Sequence, residues 1–228
     1  FIWNARIPGI DDVFMLAATR VALNMSSAEE LTTAEMEGRR QVRAIIDLSN
    51  KHRPDAKATL LQLPSRIGVR ETRHIRCQKT MIGEKIMSGE RPPDAIANGT
   101  YPSDLHHTDK SGITFRYLDG SQRISRPAQE TENSRWREAL AEEPKFYQIS
   151  YRAMLPAANK YPNLIVAGRM IDADVMAHAA IRVMVNMNQT GEAAGVAAYL
   201  ALNANTGFSE VDATTLRKTL KDGGSAIV

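Results

Sequence analysis

The sequence holds a single cysteine, Cys77, among 228 residues. One thiol cannot close an internal disulfide, and no cysteine–histidine set has zinc-ligand spacing. A reducing compartment is therefore permitted, and Cys77 reads as a small buried hydrophobe rather than a nucleophile. No apolar run is long enough to cross a bilayer, and no signal peptide is visible. The chain opens at Phe1 rather than methionine, so a natural N-terminus upstream is expected. Charge of one sign is not concentrated anywhere. The 29 Lys and Arg against 26 Asp and Glu give +3, spread along the chain with no basic run interleaved with aromatics. That distribution argues against a nucleic-acid partner. There is no internal repeat and no low-complexity tract. Gly-x-Gly-x-x-Gly, the Walker loop, the nucleophile elbow and the zinc-binding helix are all absent. These residues thus encode no phosphate cradle for a dinucleotide.

What is present is an ordinary globular composition, 43% hydrophobic and 24% charged, enough for one large domain or two small ones. The apolar opening ends in the Pro8-Gly9 turn. Ala17 to Met25 is a possible helix. Thr32 or Thr33 can cap a second helix, with Val42, Ile45, Ile46 and Leu48 on one face and Pro54 as its stop. Leu60–Val69 reads as extended chain broken by Pro64, and Arg70–Ile75 continues it by alternation. Ser88–Asp104, rich in Gly, Pro and Asp, reads as mostly loop. Ile113–Leu118 followed by Asp119-Gly120 predicts a strand and hairpin turn. Arg126–Glu143 reads as surface loop or a poorly buried helix, and Gln148–Met154 as a strand. Asn163–Ala167 is a short apolar strand broken by Gly168-Arg169. A long helix is expected over Ala179–Ala204. Its small residues around Gly191 and Gly195 would let it press against a backbone or ligand. A last helix enters at Asp212 or Thr214 and ends at Gly223-Gly224.

Four places could carry chemistry. The strand–Gly168-Arg169–helix sequence can offer free N–H groups and a positive helix end to a negative group. A flavin edge that becomes anionic on reduction is one such group. On spacing alone, a helix packed on a sheet with no ligand needs fewer assumptions. Arg70 and Arg73 lie close in sequence, which suits an anionic ligand, or a surface ion-pair ladder with Glu71. Tyr101-Pro-Ser-Asp104-Leu-His106-His107 could exchange protons or contact substrate, or be a polar loop with satisfied imidazoles. Metal binding there has only weak support. His178 and Arg182, four apart, would share a helix face, with Arg182 near the helix start.

Several of these segments occur together and in order. Asn163-Leu-Ile-Val-Ala-Gly-Arg169, Ala177-His-Ala-Ala-Ile-Arg-Val-Met184 and Gly191-Glu-Ala-Ala-Gly195 resemble the C-terminal signature of the FAD-dependent oxidoreductase family. These are glutathione-reductase-like FAD proteins, some of them labelled xanthan lyases. Trp3-Asn4, Leu31–Arg43, Ile67–Arg73, Asp94–Ala97, Tyr101–His106 and Tyr147–Pro156 match in order as well, so the resemblance covers nearly the whole chain. It implies an α/β, mixed α+β architecture: the C-terminal part of a glutathione-reductase-like FAD-binding fold with an inserted substrate domain. Residues 1–150 would form the substrate or cap domain, and 151–228 the C-terminal segment of the FAD-binding domain. The first strand and the glycine-rich loop for the FAD diphosphate would belong to an N-terminal half, joined in cis or supplied in trans.

The function implied is hydride transfer between FAD and a small organic substrate, in one version an anionic one. The alternative is a non-catalytic scaffold or complementing subunit that lacks its own diphosphate loop. Ala167, Gly168 and Arg169 would line the ribityl and diphosphate region, and Arg182, Val183 and Met184 the isoalloxazine. Arg70, Arg73, His106 and His107 would face the substrate, with the arginines and Arg182 fixing an anionic group and a histidine exchanging a proton. No nucleic acid or membrane span enters, and a homo-oligomer is allowed. The chain departs from the family pattern at Met170, where relatives often have cysteine. It also departs at Asp172 and Asp174, two acids that would repel a diphosphate unless they face away.

Overall fold

A computed structural model describes residues 3–17, 20–108, 111–157 and 161–228. It is mixed α/β, built from helices and small antiparallel sheets. Backbone contacts divide the chain into two compact units, Phe1–Thr72 and Arg73–Val228.

In the first unit, β1 (Trp3–Arg6) and β2 (Phe14–Ala17) form an antiparallel hairpin, with Asn4 opposite Leu16. The expected helix over Ala17–Met25 is not formed at residues 20–25, which turn and bend, and residues 18–19 lie outside the described residues. Helix α1 (Ala28–His52) starts a turn before the anticipated threonines. The actual cap is Ser27, whose hydroxyl accepts from the Glu30 N–H, with Glu29 and Glu30 in the first turn and Lys51 and His52 in the last. This charge order complements the helix dipole. Thr32 and Thr33 instead donate back to the Ala28 and Glu29 carbonyls. The segment after α1 forms no strand up to Ile75. It satisfies its backbone on side chains: Asn50 pairs with both backbone groups of Ala58, and the Glu35 carboxylate takes the Ile67 N–H. Strand propensity without a neighbouring strand leaves irregular chain.

The second unit holds the main core. Strand β3 (Ala95–Gly99) pairs antiparallel with β8 (Tyr147–Ser150), and Ile96, Tyr147 and Ile149 are fully or almost fully buried. β3 lies inside the stretch expected to be loop. Its residues are small, and Gly99 is required because a Cβ there would sit 2.3 Å from the Tyr147 ring. A four-stranded meander follows: β4 (Ser103–His106), β5 (Ile113–Arg116), β6 (Ser121–Ser125) and β7 (Glu132–Arg135). The Asp119-Gly120 hairpin is where the sequence puts it, with Gly120 at φ +78°. β7 occupies part of the segment read as loop or helix, and all four of its residues are exposed.

Short α2 (Gly83–Met87) packs on α3 (Val175–Ile181), and α3 packs on β4. Helix α4 (Met184–Ala204) packs on β3 and on α5 (Ala213–Asp222). The single long helix expected over Ala179–Ala204 is therefore two helices. Arg182 closes α3, and Val183 is extended at ψ 149°. Along α4 the buried positions are Asn186, Thr190, Ala193, Ala197 and Ala201. Gly191 and Gly195 lie on another face, and nothing stands within 4 Å of where their Cβ atoms would be. The close approach on this helix is thus made by alanines, not by the glycines expected to make it. Asn163–Ala167 is irregular rather than a strand; its backbone is tied by Val166 N–H to the Met154 carbonyl, without a ladder. α5 is capped by Asp212, which accepts from the Thr215 N–H, and ends at Gly223.

Candidate active site

The chain enters the site from Asn163–Ala167 through Gly168, whose φ of +90° lies in the region that favours glycine. The Gly168 N–H donates to the Thr190 hydroxyl at 3.1 Å, and that hydroxyl donates to the Met187 carbonyl. The turn is therefore fixed against α4, about 9 Å along the axis from its first residue at 1.5 Å per residue. A Cβ on Gly168 would meet nothing within 4 Å, so the turn borders open space. Ala167 is half-buried against the core, and Arg169 and Met170 are exposed.

Beyond the turn, the two departing acids have defined work. Asp172 Oδ2 accepts from the Cys77 N–H at 2.8 Å. Asp174 caps α3, accepting from the Ala177 N–H at 2.7 Å and from the Gly83 N–H. Both carboxylates are engaged by backbone donors of their own fold. Cys77 is buried, and that burial pushes its thiol up to about 11, a structural cysteine as expected.

Helix α4 begins at Met184 with no side-chain cap. Its first two residues are strongly exposed, Met184 at 81% and Val185 at 68%. An uncapped N-terminus leaves N–H donors facing outward beside apolar side chains. This end suits a flat apolar ring with a polar, electron-accepting edge.

Two residues before α4 stands Arg182. Its Nη2 donates to Asp104 Oδ2 at 3.0 Å and reaches the Asp104 carbonyl at 3.5 Å. Asp104 Oδ1 meets His106 Nε2 at 2.7 Å, and the Tyr101 hydroxyl donates to Oδ2 at 3.3 Å. The side chains of Asp104, Arg182 and His106 are only 11%, 14% and 22% exposed, so solvent screens this cluster far less than a surface pair. β4 supplies both Asp104 and His106: two apart on a strand, they share a face. The Ser103 hydroxyl donates to the Met176 carbonyl at 2.8 Å and holds β4 to α3.

The structure thus brings His106 and Arg182 together, joined by Asp104. His107 goes elsewhere: its Nε2 meets the Thr114 hydroxyl at 2.8 Å inside the β4–β5 hairpin. His178 and Arg182 do not act as a pair. His178 is buried edge-on to His74 at 4.7 Å between ring centroids, while Arg182 reaches β4. Arg70 is exposed on irregular chain of the first unit, and Arg73 is exposed at the start of the second. The alternating extended chain expected over Arg70–Ile75 forms no strand. Asp104 is the residue that sequence reasoning undervalued. Its signal was the Asp-x-His spacing, masked by reading the segment as loop.

A family model described as FAD dependent oxidoreductase matches residues 4–220. The chain belongs to the FAD dependent oxidoreductase family. Neither the curated proteins nor the solved structures contain a match to it. The family's members are generally oxidoreductases, and its cofactor is FAD. The residues at the start of α4 fit this cofactor: the helix end is uncapped, the Gly168 turn is open, and Asp172 and Asp174 point their charge at backbone donors.

Proposed function

We propose that this chain supplies the flavin edge and the substrate side of an FAD-dependent enzyme that moves a hydride to or from a small organic molecule. The proposed setting is the C-terminal part of a glutathione-reductase-like fold. In it, residues 151–228 carry the cofactor side and residues 1–150 the substrate side. That division is one of role, and it does not coincide with the two compact units. The FAD diphosphate would be held by chain outside these 228 residues, in cis or in trans.

One observation carries the reading. Arg182, two residues ahead of the uncapped α4 terminus, is tied through Asp104 to His106. Ala167, Gly168 and Arg169 would hold the cofactor on one side, and Arg182, Val183 and Met184 on the other. When bound, FAD supplies the two-electron chemistry. The chain's residues supply the rest. The guanidinium of Arg182 and the helix end create a positive potential that favours a negative group held there. Met184 and Val185 exclude water from an apolar face laid on them. His106, whose Nε2 lies 2.7 Å from Asp104 Oδ1, is the proposed proton carrier for the substrate. Arg73 remains a proposed anchor for an anionic substrate group.

The test is anaerobic reduction of the FAD-loaded protein by a panel of small alcohols, amines and hydroxy acids, followed by flavin bleaching. His106→Gln should slow bleaching by about 10²–10⁴-fold while FAD uptake stays unchanged. Equal rates in the variant would remove His106 from the mechanism. If the protein completed with its diphosphate-binding half takes up no FAD, the chain returns to the non-catalytic scaffold reading.

A further inference from the structure

A cavity of about 380 Å³ opens in the second unit where the turn after β8 meets the start of α5. None of Asp104, His106 and Arg182 lines it. Its polar side is built around a buried acid. Asp94, 5% exposed, accepts at Oδ2 from the Ser150 hydroxyl at 2.6 Å and from the Arg152 N–H and Nε at 3.1 Å each. Burial by itself would raise this carboxyl, but the Ser150 and Arg152 hydrogen bonds outweigh it and hold the group below its ordinary value of 3.8. It is therefore ionised and anchors Arg152 from the inside. Asp94 Oδ1 has no hydrogen-bond partner among the described residues.

Arg152 is the consequence. Its side chain is 49% exposed, and its hydrogen bonds to described side chains all use Nε, leaving both Nη groups unused. An arginine fixed through Nε presents its outer edge as a rigid two-pronged donor, the shape that matches a carboxylate. The helix end of α5 is not the anion site, because Asp212 already caps it. The Tyr151 hydroxyl is taken by the Phe208 carbonyl. Gln78 Nε2 donates to the Ser209 hydroxyl at 2.9 Å, which leaves the Gln78 carbonyl oxygen and the Ser209 proton for a ligand. Leu155 and Val211 add apolar wall.

From this geometry we infer that the cavity is a second binding site, for a small organic carboxylate with a short apolar body and a carboxylate set on Arg152. The apolar walls favour such a body over a fully hydrated inorganic anion. The inference stands apart from the proposed redox function, since it rests on other residues.

The test is a titration of ¹⁵N-labelled protein with sodium butyrate and, separately, with inorganic phosphate at matched ionic strength. Butyrate should give saturable shifts at Ser209, Ala213 and the Arg152 side chain, and phosphate should not. Arg152→Gln and Ala213→Leu should each weaken butyrate binding about tenfold or more. The leucine narrows the cavity from the α5 side and leaves the Asp94 and Arg152 side chains unchanged, so it decides the matter if removal of Arg152 impairs folding. Absence of saturable butyrate shifts, equal shifts with phosphate, or wild-type affinity in Ala213→Leu would overturn the inference.

Discussion

Asp104, His106 and His107 sit within four residues of one another, and their surroundings give them different chemistry. His106 faces a carboxylate that also holds an arginine, whereas His107 is bonded to Thr114 inside a hairpin. The 2.7 Å contact sets the His106 ring against the same carboxylate that holds Arg182. Cys77 shows the opposite use of an ionisable group. Burial raises its thiol to about 11, so little thiolate exists near neutrality. Alkylation of the folded protein at about pH 8 should therefore run about two orders of magnitude slower than for a free cysteine, and it should accelerate as pH rises toward 11. Labelling followed by mass spectrometry measures this, and labelling at the free-cysteine rate would contradict the buried placement. Cys77 was legible from the sequence because a lone cysteine with no partner has few other uses. The role of Asp104 was not, because it depends on an arginine 78 positions away.

Among the elements, those whose signals are local were legible: the α1 helix, the Asp119-Gly120 hairpin and the Asp212-capped α5. Strands that depend on a distant partner were not. β3 pairs with β8 some fifty residues later, and nothing in Ala95–Gly99 announces it. The converse failure is Asn163–Ala167, which has strand composition but makes no ladder among the described residues. The break between α3 and α4 has neither glycine nor proline. It accompanies the tether of Arg182 to β4, a tertiary contact that overrides helix propensity. α4 itself yields a sharp test. Ala197 is fully buried, whereas Gly195 faces open space. Ala197→Leu should overpack the core and cost about 1–3 kcal/mol. Gly195→Ala should stabilise by about 0.5–1 kcal/mol through helix propensity. Urea unfolding midpoints measure both. A destabilising Gly195→Ala would show that another surface covers that face.

At the scale of the whole molecule, the chain belongs to an FAD-using oxidoreductase family, and these residues contain no glycine-rich diphosphate loop. The proposed function assigns the redox edge and the substrate to this stretch. The central claim is that Arg182 and the α4 terminus act electrostatically on the cofactor. The midpoint potential of the FAD-loaded protein, measured by dye-equilibrated titration, tests it without knowledge of the substrate. Arg182→Gln should lower that potential by about 20–60 mV, equivalent to about 1–3 kcal/mol for a two-electron couple. A potential unchanged by the substitution, in a variant that still binds FAD, would contradict the account.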